Sequence, residues 1–376
     1  MRRLFLWAPP PSAGHIAGRR GPNRMTRPGG RVLQALLAAA LCLSNLSGCQ
    51  KKPELREFTT FAMDTAINFT FYCENGNRTG QAYTAMASGL SDLDSLLSVT
   101  REDSAVARIN RAGGQPVEVD DWTALALSRA LELCRVTDGA LDITAYPAVK
   151  AWGFTQEEHR VPSEEELAEL AAGIDYSAVK LEGDTITLPE GVEIDLGAVA
   201  KGFAGDWLAQ QVRNIYPGED SALLDLGQST IMAVGSKPEG KPWRIGIVDP
   251  ARPENYFAVV ELEDMAMGTS GGYQRYFEQD GITYWHILDP DTAAPARSGL
   301  ASVTVVAPSA LTCDGLSTAL FVMGLEKGAQ FWRDHPELEF DVIFVTEDGE
   351  IYRTAGLEGR FSLAEGYTDR EVTVLE

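Results

Sequence analysis

Residues 65–97, TAINFTFYCENGNRTGQAYTAMASGLSDLDSLL, change hydrophobic period part-way along. Ile67, Phe69 and Phe71 alternate with Asn68, Thr70 and Tyr72, the period of two that gives a strand one buried face. Tyr83, Met86, Ala87, Leu90, Leu93 and Leu97 then recur at the three-and-four spacing of a helix with one apolar stripe. The same reading places a helix from Trp122 to about Val136 and a polar one over Glu164–Ala172 behind the cap Ser163. Short strands are expected near Thr185–Leu188, Ala222–Leu226, Arg244–Val248 and Ser302–Ala307. A hairpin joins Val342–Thr346 to Ile351–Thr354 through the turn at 347–350. Strands and helices mix without a regular βαβ rhythm, so the expected class is α+β, with mixed or antiparallel sheets and packed helices rather than a doubly wound sheet.

The whole chain has 376 residues, 44% of them hydrophobic, with 32 Lys and Arg against 54 Asp and Glu, a net charge of −22. That length and apolar content suit one large or two moderate domains with a substantial core. The acidic balance argues against nucleic acid, whose phosphates need a basic face. Five cysteines without a C-x-x-C pair give no zinc ribbon, thioredoxin motif or disulfide scaffold, and whether Cys73 and Cys134 pair is not readable from spacing.

Charge is uneven along the chain. Residues 1–48 hold seven Arg and no Lys, Asp or Glu. An apolar run from Val32 to Leu43 follows Arg27 and Arg31 and ends at Leu46-Ser47-Gly48-Cys49. These are the basic, apolar and small-residue parts of a secretory leader, and the run is too short to span a bilayer. Leu-Ser-Gly-Cys resembles the lipobox of bacterial lipoproteins, which implies lipidation of Cys49 and work on the extracytoplasmic face of the cell membrane. Residues 1–48 then form the signal peptide, with 1–24 a possible mis-assigned start before Met25. Residues 49–57 form a lipidated tether, 58–362 the folded domain and 363–376 a tail.

Four segments carry chemistry. In Ile194-Asp195-Leu196-Gly197-Ala198-Val199-Ala200-Lys201-Gly202 an acid is expected to end an apolar strand, Gly197 to turn, and a helix to start, with Lys201 as a charge for phosphate. Met267-Gly268-Thr269-Ser270-Gly271-Gly272-Tyr273 could form a nest of backbone N–H groups, although it lacks the P-loop spacing and reads equally as a turn. His286, in Tyr284-Trp285-His286-Ile287-Leu288-Asp289-Pro290, reads either as a packed core residue or as a proton-transfer group at a strand end, whereas His159 and His335 read as surface. Asp314 and Thr318 share one face of a helix over Cys313–Met323. They are hard oxygen ligands suited to Mg²⁺, although such a pair by itself more often reads as a cap and a core threonine, with Cys313 as packing.

Taken in order, these segments resemble the ApbE family, the FAD:protein FMN transferases. The resemblance runs over about residues 58–356. It also takes in Ala62-Met63-Asp64-Thr65, Ser104 to Asn110, Gly139 to Thr144, Trp152-Gly153-Phe154 and Asp225-Leu226-Gly227. It implies the ApbE-type fold, FAD as substrate and Mg²⁺ as cofactor, with FMN passed to a threonine hydroxyl of an acceptor protein and AMP released. By motif, Met63, Ala140, Leu141, Asp142, Asp195, Lys201, Thr269 and Ile287 would contact FAD. The Ala198 carbonyl with Asp314, Thr318 and, more weakly, Ser317 would hold the metal, and His286 would be the base. The acceptors of this family are often membrane-bound electron-transfer subunits. The chain departs from the family pattern at Asp64, Thr100, Gln228-Ser229 and Ala293. Two other readings stay open: an Mg²⁺-dependent FAD pyrophosphatase that passes FMN to water, and a flavin- or solute-binding lipoprotein without catalysis.

Overall fold

The apolar alternation at Ile67, Phe69 and Phe71 becomes strand Thr65–Cys73, with all three side chains buried. The computed structural model describes residues 53–73, 76–156, 158–216 and 221–376. The expected leader over 1–48 and the expected lipidation at Cys49 lie outside the described residues. Strand Glu54–Ala62 pairs antiparallel with Thr65–Cys73 through Met63 and Asp64, whose φ values of 52° and 58° put both in the left-handed region. That is the backbone of a primed hairpin turn, which favours Asn, Asp or Gly; Asp64 suits it and Met63 is held there under strain.

Nine strands form one sheet whose spatial order is also the chain order. They are Glu54–Ala62, Thr65–Cys73, Ser221–Leu226, Thr230–Gly235, Ala266–Gly271, Leu300–Ala307, Asp341–Thr346, Ile351–Thr354 and Val372–Leu375. Every neighbouring pair is antiparallel except the last, which is parallel. The chain is thus a meander whose connections have grown into helices and smaller sheets, and the α+β expectation holds. The folded region is wider than the 58–362 limits read from sequence. Residues 54–57 already pair in the sheet, and Val372–Leu375 in the expected tail supplies its last strand.

Both faces of the central strands are covered. Met232, Val234, Val342 and Phe344 face the helical layer, while Ile231, Ala233, Ile343 and Val345 face a three-stranded sheet of Trp243–Asp249, Arg252–Leu262 and Phe361–Leu363. The helical layer contains Gly76–Leu97, whose Met86, Leu90, Leu93 and Leu97 are buried as the spacing predicts, together with Asp121–Val136 and Ala200–Ile215. Helix Glu164–Ala172 buries no residue fully and is capped by Ser163, whose Oγ accepts from the Glu166 N–H at 3.2 Å.

The helix expected over Cys313–Met323 runs from Ala310 to Asp334 and breaks at Gly324, where φ is 80° and ψ 176°. It crosses the sheet unusually closely. A Cβ at Gly268 would sit 2.7 Å from the carbonyl carbon and oxygen of Cys313, and one at Gly202 would sit 2.4 Å from the Ala310 oxygen. Cys73, Cys134 and Cys313 are buried and free, so Cys73 and Cys134 do not pair. Burial pushes the Cys134 thiol up to about 12 and Cys313 well above its ordinary value, which leaves both inert.

These contacts set a test. Gly268→Ala forces two backbones apart and is expected to lower unfolding free energy by about 1–3 kcal/mol in a urea titration. Gly80→Ala, in helix Gly76–Leu97 with nothing within 4 Å of the added carbon, is expected to stabilise by up to about 1 kcal/mol. Equal effects at both sites would refute the close-contact account.

Candidate active site

Antiparallel pairing puts the Met63–Asp64 turn, the Gly227–Ser229 turn and the long connection after Gly271 at the same end of the sheet. A cavity of about 610 Å³ opens there, lined also by Ala140–Ile143, by Asp195, Gly197, Ala198, Ala200 and Lys201, and by the face of the long helix carrying Asp314 and Thr318. Its size falls in the range of roughly 300–1,000 Å³ typical of ligand pockets. Met63, Ala140, Leu141, Asp142, Asp195, Ala198, Lys201, Thr269, His286, Ile287, Asp314 and Thr318 all line it. Of the described residues expected to contact FAD, hold the metal or act as base, Ser317 alone does not. It is 1% exposed, with its hydroxyl donating to the Asp314 carbonyl at 2.9 Å and lying 2.9 Å from Ser270 Oγ.

The segment before Asp195 is not a strand. It is an extended run held by a side chain: the Ile194 N–H donates to Asn110 Oδ1 at 2.8 Å and Asn110 Nδ2 donates to the Ile194 carbonyl at 2.9 Å. One carboxamide thereby replaces a ladder partner. The next amide, Asp195 N–H, donates to the Ile143 carbonyl at 2.8 Å and so ties this run to the Ala140–Ile143 wall. The Asp195 carboxylate accepts from the Gly197 N–H at 2.9 Å. Burial raises its pKa, while that hydrogen bond and the charges of Lys201 and Arg275 oppose the shift. Helix Ala200–Ile215 then begins with no side-chain cap.

The expected backbone nest at 267–273 is also replaced. Ala266–Gly271 is a central strand, and its Thr269 N–H donates to the Ser229 carbonyl at 2.8 Å. Its glycines serve packing. Gly268 admits the long helix, and a Cβ at Gly271 would meet the Tyr273 ring at 2.5 Å. Thr269 contributes its position, with its hydroxyl 2.9 Å from that of Thr304. Asp142 is likewise committed inward: its carboxylate accepts from Thr144 N–H at 2.8 Å, Thr144 Oγ1 at 2.7 Å and Tyr176 N–H at 2.9 Å.

The long helix presents Asp314 at 7% exposure. Oδ2 accepts from the Gly202 N–H at 2.9 Å and Oδ1 from Thr230 Oγ1 at 2.8 Å, so each oxygen keeps a lone pair. Thr318 lies one turn on, its hydroxyl donating to the Asp314 carbonyl at 3.4 Å. A carboxylate, a hydroxyl and the nearby Ala198 carbonyl are hard donors. No group of three His, Cys, Asp or Glu able to hold a metal occurs among the described residues. Such a sparse oxygen set fits Mg²⁺, which keeps waters and substrate oxygens, and does not fit a structural zinc. Asp206 fixes the start of this helix, accepting from Ser309 Oγ and Ala310 N–H, both at 2.7 Å, and from Leu311 N–H at 3.3 Å. Its burial pushes the carboxyl up to about 6.

His286 follows strand Ile282–Trp285 directly and lines the cavity half-buried, so it is not a packed core residue. Its N–H donates to the Arg275 carbonyl at 3.1 Å and its Nδ1 lies 3.2 Å from the same oxygen. A carbonyl can only accept, so Nδ1 carries the proton and Nε2 is left with a free lone pair. Burial first, then the positive charges of Arg275 and Lys201, push the imidazole down to about 4. His159 is exposed as expected, and its ring packs 4.9 Å from that of Phe277. Arg275, Asp94 and Asp206 escaped the sequence reading; nothing in their local pattern distinguishes them from surface or helix-face charges.

Among the described residues the fold and this cavity define an α+β protein with a large cavity at the end of a nine-stranded sheet. The sequence profile of the ApbE family matches residues 63–343. The chain is 32% identical to the FAD:protein FMN transferase of Haemophilus influenzae over 339 residues, covering 86% of this chain and 96% of that one. It is 33% identical over 320 residues to the enzyme of the same name from Vibrio cholerae, covering 83% and 94%. Among solved structures, the ApbE protein of Thermotoga maritima superposes with a TM-score of 0.75 at 34% identity, covering 81% of this chain and 98% of that one. The flavin transferase ApbE of Vibrio cholerae gives 0.71 at 28% identity, covering 85% and 100%. The chain belongs to the ApbE family.

The side-chain clamp on Ile194 is open to measurement. Asn110→Ala leaves two backbone groups of a buried residue unpaired and is expected to lower unfolding free energy by about 1–3 kcal/mol. Hydrogen exchange should then speed at Ile194 and Asp195. Unchanged protection there would show that the clamp does not hold the segment.

Proposed function

We propose that this chain is an FAD:protein FMN transferase: it moves FMN from FAD to a threonine hydroxyl of an acceptor protein and releases AMP. The observation that carries this reading is the 3.2 Å contact of His286 Nδ1 with the Arg275 carbonyl, which leaves Nε2 as the lone-pair nitrogen of a residue lining the same cavity as Lys201, Asp314 and Thr318. His286 Nε2 takes the hydroxyl proton as the threonine oxygen forms its bond to the flavin-side phosphorus. The P–O bond to the adenylate side breaks, and AMP leaves with the bridging oxygen. The neutral imidazole is a base and not a covalent intermediate.

Lys201 offsets phosphate charge from the first turn of an uncapped helix. Met63, Leu141 and Ile287 supply apolar wall for the flavin and adenine rings. Asp314, Thr318 and the Ala198 carbonyl would hold Mg²⁺. When bound, that ion polarises the diphosphate and offsets the charge of the leaving group. The chain's own part is to orient the donor oxygens, with Gly202 and Thr230 fixing the Asp314 carboxylate. The Leu46-Ser47-Gly48-Cys49 sequence supports lipid attachment at Cys49 and a place on the extracytoplasmic membrane face, where membrane-bound electron-transfer subunits would be its acceptors.

The test uses the soluble chain from Gln50 onward with FAD, Mg²⁺ and an acceptor protein carrying a threonine flavinylation motif. AMP release with a flavin-sized mass gain on the acceptor, both abolished by EDTA, is the expected result. AMP with free FMN and no adduct would replace the reading with a pyrophosphatase, and bound FAD without AMP would replace it with a binding lipoprotein. Asp314→Ala is expected to abolish Mg²⁺-dependent turnover. His286→Ala should slow transfer by roughly 10²–10⁴-fold while FAD binding persists.

The pH dependence has a definite sign. A base must be deprotonated to act, and His286, held down at about 4, stays neutral well below its ordinary value of 6.5. The acid limb of kcat/KM, which reports the free protein, should therefore fall near pH 4 to 5. A limb centred at 6 to 7 would exclude His286 in this environment as the base.

A further inference from the structure

We propose that Arg275 is a second phosphate-binding cation of this site, holding the flavin-side phosphate of the dinucleotide beside His286. This rests on the transferase reading above and adds to it a residue that the sequence motifs do not single out. The cavity is an unpromising place for a diphosphate by charge alone. Its lining includes the carboxylates of Asp64, Asp94, Asp142, Asp195 and Asp314, in a chain of net charge −22. Lys201 and Arg275 are the only cations in that lining.

Neither makes an ion-pair contact with an acid among the described residues. The nearest hydrogen-bond acceptor of Lys201 Nζ is the Gly197 carbonyl at 3.5 Å. The Arg275 guanidinium makes no hydrogen bond or ion pair among the described residues. Several arginines elsewhere are paired with acids: Arg213 lies 3.0 Å from Asp264, Arg360 3.0 Å from Asp341 and Arg252 3.1 Å from Asp249. An unpaired arginine at the wall of an acid-rich cavity is a group whose partner comes with the ligand.

Two further observations place it at the reacting end. The two cations arrive from separate elements, Lys201 from helix Ala200–Ile215 and Arg275 from the residue before strand Tyr276–Gln279. Both are close enough to Asp195 and to His286 to act electrostatically on each. The backbone carbonyl of Arg275 is itself the oxygen that fixes the His286 ring, at 3.2 Å from Nδ1. One residue thus holds the base with its main chain and carries a planar, bidentate donor on its side chain, suited to two oxygens of one phosphate. The base must lie within reach of the hydroxyl that attacks the flavin-side phosphorus. The phosphate that Arg275 meets is therefore the one retained with the flavin.

Arg275→Gln removes the charge and leaves the carbonyl that orients His286. Binding is read by flavin fluorescence titration in EDTA, so that no turnover intervenes, with FAD and with riboflavin, which has no phosphate. Loss of a charge-assisted hydrogen bond predicts FAD affinity weakened by about tenfold or more, with riboflavin affinity unchanged. Arg275→Lys should recover part of the FAD affinity. The variant's KM for FAD should rise and the acid limb of its pH profile should move upward, because Arg275→Gln removes one of the two positive charges that hold the His286 imidazole down. FAD affinity within about twofold of the unaltered protein would overturn the proposal; so would equal weakening of FAD and riboflavin, which would show a packing role. Failure of the unaltered protein to bind FAD at all would overturn the transferase reading and this inference together.

Discussion

Everything at the site depends on how closely two helices approach each other and the sheet. Helix Ala200–Ile215 meets the start of Ala310–Asp334 where Gly202 has no side chain, and the long helix meets the central strand where Gly268 has none. Carboxylates pin the contact at both levels. Asp206 ties to the first residues of the long helix, and Asp314, one turn on, reaches back to Gly202 and across to Thr230 of the sheet. Buried carboxylates are costly unless satisfied, and these two are satisfied by helix-start amides and hydroxyls. The constraint is reciprocal: the glycines allow the approach that gives the acids their partners.

The same contact decides the chemistry. Asp314 reaches the cavity wall only because its helix lies this close to the sheet, and its two existing hydrogen bonds set which lone pairs face outward. Across the cavity the hairpin after Gly271 carries Arg275 and His286, with the imidazole fixed by a main-chain carbonyl instead of a carboxylate. A carboxylate partner would favour the imidazolium strongly; here burial and two nearby cations favour the free base and outweigh the carbonyl's hydrogen bond. An acidic protein thereby keeps a neutral histidine where a proton must be accepted.

Elements with strong local periodicity were legible from the chain alone. Ile67, Phe69 and Phe71, the stripe from Met86 to Leu97 and the Ser163 cap all form what their spacing dictates, because burial of one face and capping of one end are local demands. The site residues were legible only through the order of their motifs. Asp195, Lys201, His286, Asp314 and Thr318 do line one cavity, yet the local forms assigned to two of their segments were mistaken. The run before Asp195 looks like a strand because Ile194 and Leu196 are apolar, but its hydrogen bonds go to Asn110, 84 residues away. The glycine-rich run from Met267 looks like a loop, but its glycines answer to a helix packed above a strand.

The sequence by itself determined the α+β class, the major helices and strands and the membership that motif order implies. Those follow from period, composition and short motifs, which are properties of neighbouring residues. The tertiary structure alone decided which face of each glycine is occupied, which nitrogen of His286 is free and which cations of the cavity lack a partner. These depend on contacts between residues far apart in the chain, such as the 112 residues separating Gly202 from Asp314, and no local pattern encodes the closure of such a distance.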